Sequence, residues 1–126
     1  MKTVICSENA PKAIGPYSQA ISANGIVITS GQLPIDPVTG KIVEGDIKAQ
    51  TEQSLKNVQA VLAGASLTLN HVIKTSVFLA DIADFAAMNE VYAKFFTGEC
   101  PARSAFQVAA LPLGAKVEIE TICARD

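Results

Sequence analysis

From Asp46 to Gly64 the chain carries Ile47, Thr51, Leu55, Val58 and Leu62 at three- and four-residue steps, with Lys48, Glu52, Lys56 and Gln59 opposite them. Apolar residues at that spacing form one stripe of an α-helix, and a helix with one apolar stripe has to lie against another apolar surface. Asp46 suits its N-cap and Gly64 its end. A second helix is expected from Asp81, with Asp84 in its first turn and Gly98 as its stop. Its stripe reads Ile82, Phe85, Ala86, Tyr92, Ala93 and Phe96, with Asn89 on the same side.

The surface these helices need is supplied by strands. Tyr17 to Ser22 and Ile26 to Thr29 flank Asn24-Gly25, a two-residue turn whose members tolerate positive φ, so the two segments pair antiparallel. His71 to Leu79 reads as a buried strand, with Ile73, Thr75, Val77 and Leu79 on one face and Val72, Ser76 and Phe78 on the other. Further strands are expected at Ala102 to Ala109 and Lys116 to Cys123, joined by a turn around Pro112-Leu113-Gly114, and Thr3 to Cys6 has the makings of an N-terminal one. Ser7 to Pro16 reads as an irregular lead-in and Gly31 to Gly45, rich in Pro and Gly, as an ordered loop. The order β-β-α-β-α-β-β, with both helices on one sheet face, is that of an α+β sandwich. Without repeat, linker or low-complexity tract, residues 1–126 read as one domain.

Composition narrows the function. Apolar residues make up 49% and charged residues 17%, against about 25% charged in an ordinary soluble domain, which leaves apolar surface for a subunit interface. A net charge of −2 and a pI near 5.3 exert no pull on phosphate backbones or anionic lipids, so neither nucleic acid nor membrane is expected as a partner. Cys6, Cys100 and Cys123 form no disulfide framework and no zinc pattern, and the single His71 excludes a multi-histidine metal site, so no metal is expected. Val4-Ile5-Cys6 is too short an apolar core for a secretion signal, and a reducing cytoplasm is the expected location. Nucleotide-binding glycine patterns are lacking.

Several side chains could carry chemistry. Arg103, early in a strand of small and apolar residues, would hold a planar fork of donors matched to a carboxylate; an exposed, salt-bridged edge arginine is the plainer alternative. Glu118 and Glu120 alternate with Val117 and Ile119, so both carboxylates leave the same sheet face about 7 Å apart. One of them could act as a base, or both could line a solvated face. Tyr17 could donate a hydrogen bond into a pocket or simply start a strand half-buried.

Pro101-Ala102-Arg103-Ser104 followed by Val117-Glu118-Ile119-Glu120 resembles the C-terminal signature of the reactive-intermediate deaminase (Rid, or YjgF-type) family. Ala13-Ile14-Gly15-Pro16-Tyr17-Ser18-Gln19 and Ile28-Thr29-Ser30-Gly31-Gln32-Leu33-Pro34 resemble its N-terminal motifs. Gln53 to Val58 and Asp84-Phe85 through Asn89 to Tyr92 and Phe95-Phe96 resemble its helices. The resemblance implies a chorismate-mutase-like α+β fold, a mixed sheet with two helices on one face, assembled as a homotrimer with sites in the clefts between subunits. It implies a cofactor-independent hydrolysis of 2-imino and 2-enamino acids, such as 2-aminoacrylate, to 2-keto acids and ammonia. Arg103 would bind the substrate carboxylate and Glu118 would activate water. Gly31 and Ala105 would supply backbone contacts, and Tyr17 and Asn89 would line the cleft. Where many members have cysteine two residues after the arginine, this chain has Ala105, so no thiol acts there. Two other readings stay open: an endoribonuclease or translation inhibitor, and a trimer that binds 2-keto acids without catalysis.

Overall fold

The computed structural model describes residues 1–125. Its strands are β1 (Thr3–Ile5), β2 (Ala20–Ala23), β3 (Ile26–Thr29), β4 (Val72–Leu79), β5 (Ala102–Gln107) and β6 (Val117–Ala124), and its α-helices are α1 (Ile47–Ala63) and α2 (Phe85–Phe95). The six strands form one sheet in the order β1-β2-β3-β6-β4-β5. Only β4 and β5 are parallel; the other neighbours are antiparallel. Among the described residues no helix is long and apolar enough to cross a membrane.

This order follows from two crossovers. A parallel pair cannot be closed by a tight turn, so the chain from β4 to β5 must cross the sheet, and α2 makes the crossing. Strands β3 and β4 run the same way with β6 antiparallel between them, and α1 bridges that gap. Both helices land on one face, where Val27, Val77, Leu79, Val117 and Ile119 of the sheet share a core with Leu55, Val58, Leu62 and Met88. The α+β sandwich with a mixed sheet and helices on one side is therefore what the residue pattern leads to.

Local chemistry sets the ends. Asp46 accepts from the Ala49 N–H and caps α1, a contact that contributes about 1 kcal/mol in typical helices. All five stripe residues of α1 are buried. At the β2–β3 turn Asn24 and Gly25 take φ of 51° and 78°, the left-handed pair that suits a tight hairpin. The loop from Gly31 to Gly45 is pinned from within the core: Asn57 Nδ2 of α1 donates to the carbonyls of Leu33 and Ile35 at 3.0 and 2.8 Å.

Several expectations need correction. Pairing in β2 begins at Ala20, not Tyr17, because the Gln19 amide is buried and ties the lead-in through Ser7 and Pro11 instead of extending the strand. In β4 an irregularity between Val72 and Lys74 breaks the alternation, so Val72 is buried and Ile73, expected on one face with Thr75, Val77 and Leu79, is 50% exposed. The second helix opens with a 3₁₀ turn over Ile82–Asp84 before α2, and three residues per turn shift its phase. Met88, Val91 and Tyr92 face the core, while Ile82, Ala86 and Ala93 lie outside. Strands β5 and β6 also end at Gln107 and Ala124, and α2 stops at Phe95 rather than near Gly98.

Candidate active site

Arg103 sits on the edge strand β5, paired in register with Thr75 of β4. Thr75 is wholly buried on the helix side, so the arginine leaves the sheet beneath α2. There its Nη1 donates to Asn89 Oδ1 at 2.8 Å, and its guanidinium carbon lies 4.7 Å from the Tyr92 ring centroid and 5.5 Å from that of Phe85. These contacts border a cavity of about 370 Å³ that also touches Phe96, Cys100 and Pro101. Ala105, two residues on, pairs with Val77 on the same face. A planar cation held by a side-chain amide and two rings can offer its remaining donors to a carboxylate without reorganising.

Glu118 lies on the other face. Its neighbours Val117 and Ile119 are fully buried among the helices, so alternation sends the carboxylate to the opposite side, beside Phe78 of β4. Glu120 follows on that side, opposite Ser76. Burial, and then the charge of Glu120, raise the Glu118 carboxyl above the ordinary glutamate range. Gly31 adjoins it: a Cβ built there would lie 2.8 Å from Glu118 Cδ and overlap Oε2, so only glycine leaves this carboxylate its place. Tyr17 is 49% exposed and borders a small cleft with Ile14 and Gly31, its hydroxyl accepting from the Ile14 N–H.

The six residues that the resemblance assigns to the site therefore gather in two sets. Arg103, Asn89 and Ala105 form one beneath α2; Tyr17, Gly31 and Glu118 form the other on the open face of the sheet. With β4 between β5 and β6, the two backbones are about 10 Å apart and their side chains leave in opposite directions. One chain does not bring Arg103 and Glu118 together. A further cavity of about 360 Å³, lined by Pro11, Ile14, Ile35, Val38 and Leu113, contains none of the six. Among the described residues no cluster of His, Cys, Asp and Glu could hold a metal ion.

Sequence reasoning did not foresee that Tyr92 and Phe85 lie under the guanidinium. The signal available was the three-residue step from Asn89 to Tyr92, which puts both on one helix face.

A family model described as Endoribonuclease L-PSP matches residues 7–125. A RutC family protein of Pyrococcus horikoshii is 55% identical over 126 residues, covering 100% of both chains. A 2-iminobutanoate/2-iminopropanoate deaminase of Salmonella typhimurium is 48% identical over 128 residues, covering 99% of each. Among solved structures, a Rid family protein of Yersinia pestis superposes with a TM-score of 0.96 at 52% identity, covering 98% of this chain and 99% of that one. TdcF of E. coli with bound serine superposes at 0.94 and 44% identity with the same coverage. With a family match over almost its whole length and relatives this similar, the chain belongs to the Endoribonuclease L-PSP family, which includes the Rid (YjgF-type) deaminases.

Proposed function

We propose that the protein hydrolyses 2-imino acids and their enamine tautomers to 2-keto acids and ammonia, at sites formed where Arg103 of one copy meets Glu118 of the next in a homotrimer. The observation that carries this reading is the split site. A carboxylate-binding fork and a carboxylate with a raised pKa occur in one small chain, on opposite sheet faces, each incomplete without the other. The open sheet face around Glu118 also exposes Val4, Ile28, Ile122 and Phe106, apolar area that a second copy would cover. Relatives named as imine deaminases and a serine-bound structural neighbour support a substrate with an amino-acid skeleton.

The chemistry needs no cofactor. A protonated imine is already electrophilic, so the protein has to fix it beside a water molecule and move protons. An enamine first takes a proton on carbon and becomes the imine. Arg103 grips the substrate carboxylate, and Glu118, ionised, accepts a proton from the attacking water as the new C–O bond forms. The carbinolamine then loses ammonia, its nitrogen taking up a proton as the C–N bond breaks, and leaves the 2-keto acid. Burial raises the Glu118 carboxyl toward the pH at which it works, which suits a group that must both take and return a proton.

Mixed assemblies test the split site. Arg103→Ala and Glu118→Gln chains, each impaired alone, should regain activity when unfolded and refolded together, since about a quarter of randomly assembled clefts then pair an intact arginine with an intact glutamate. No recovery would show that both groups serve from one chain. The family description supports a second reading, RNA cleavage, against which stands the acidic balance of −2. RNA cleavage by the pure protein, lost in Arg103→Ala and unaccompanied by imine hydrolysis, would establish it. Binding of 2-keto acids without any acceleration of imine hydrolysis would instead favour a non-catalytic binder, and turnover unchanged in Glu118→Gln would remove Glu118 as the base.

A further inference from the structure

The guanidinium of Arg103 is supported from below as well as from the side. Asn89 Oδ1 accepts from Nη1 at 2.8 Å, and the Tyr92 ring lies beneath at 4.7 Å. Tyr92 is itself immobilised. It is 7% exposed, its ring meets that of Phe96 at 4.6 Å, and its hydroxyl lies 2.8 Å from Thr75 Oγ1. Thr75 is the residue directly across from Arg103 in the β4–β5 pair. The contacts therefore close a circuit: from the arginine backbone across the sheet to Thr75, through its hydroxyl to Tyr92, and from the ring back to the guanidinium.

That circuit does something burial alone would not. An unsupported arginine samples many rotamers and must surrender them to grip a carboxylate. Asn89 occupies one N–H donor and leaves more than the two a bidentate carboxylate needs. Burial also pushes the Tyr92 phenol up, so it stays protonated and able to hold the threonine.

We propose that Tyr92, tethered by Thr75, is the positioning residue for Arg103, holding the guanidinium in its binding orientation before substrate arrives. This rests on the reading of Arg103 as the carboxylate clamp. Because Arg103 and Arg125 are the only arginines in the chain, nitrogen-15 spectra of the guanidinium groups in the assembled, ligand-free protein can follow Arg103 alone. In the unaltered protein its Nη resonances should be distinct, reporting slow rotation, and in Tyr92→Leu they should merge. Tyr92→Phe and Thr75→Val cut the same tether from its two ends and keep an aromatic ring or the tyrosine in place, so both should give the same intermediate loosening. Titration with 2-oxobutanoate should show Kd rising about fivefold in Tyr92→Leu and about twofold in the tether variants.

Arg103 resonances unchanged in all three variants would overturn the positioning role, as would a loosened Arg103 with unaltered Kd. If Tyr92→Leu fails to fold, the two tether variants decide alone. Failure of the underlying reading has a different signature: Arg103→Ala binding 2-oxobutanoate as tightly as the unaltered protein would remove the clamp itself.

Discussion

The region beneath α2 and the open face of the sheet are built on opposite plans. Arg103 is engaged by Asn89, Tyr92 and Phe85, all from the helix that its own crossover places above it. Glu118 has glycine beside it, a second carboxylate two residues on, and burial that opposes its charge. Within one chain the cationic half is finished by folding, whereas among the described residues no hydrogen bond or ion pair reaches the Glu118 carboxylate. A group meant to bind is best fixed in advance, and a group meant to exchange a proton is best left without a cation to neutralise it.

The sharpest way to break this contrast is to remove the proposed proton acceptor. Glu118→Gln should lower kcat roughly a hundredfold or more, the usual worth of a positioned base, while 2-keto acid binding persists; a coupled assay with an amino-acid oxidase supplying the imine reads both. Next comes the proposed clamp. Losing a charged hydrogen-bonding partner costs about 1.5–3 kcal/mol, so Arg103→Ala should reduce kcat/KM by roughly tenfold to a hundredfold, measured as 2-keto acid release. Gly31→Ala should leave thermal stability nearly unchanged, because the added methyl meets the movable end of Glu118, yet displace that carboxylate and cut kcat about tenfold.

The smallest effect concerns pH. Glu118 has its folded pKa raised, so the folded state holds the proton more tightly than the unfolded chain. Its contribution to stability is therefore present at acidic pH and is lost as pH rises past the unfolded and then the folded value. Glu118→Gln should unfold at a slightly higher temperature than the unaltered protein at neutral pH, and at nearly the same temperature in acid. Glu120→Gln removes the second cause of the shift, and the acidic limb of the kcat/KM profile should move to lower pH. An unmoved limb would assign that titration to another group.

Much of this was legible in the residues. The α1 stripe, the Asn24-Gly25 hairpin and the strand alternation placing Glu118 and Glu120 together depend on local periodicity, which sequence carries directly. The phase of α2 was not, because a 3₁₀ turn and an α-helix can share one apolar-rich run and only packing decides where one becomes the other. The irregularity after Val72 is equally invisible, since an extra residue in a strand leaves no mark in composition. The pairing of Tyr92 with Arg103 joins residues eleven apart through a crossover, so it awaited the topology. The separation of Arg103 from Glu118 likewise follows from strand order, which single-strand patterns do not state.

Asn57 gives the loop that follows Gly31 an unusual thermodynamic status. Its amide reaches out of α1 to two carbonyls of the 33–35 segment, so those residues cannot leave the helix without breaking two hydrogen bonds made by a buried side chain. The Ile35 amide proton, which donates to the Leu33 carbonyl, should exchange faster in Asn57→Ala, and a molecule docking against this loop would find part of its disorder already spent.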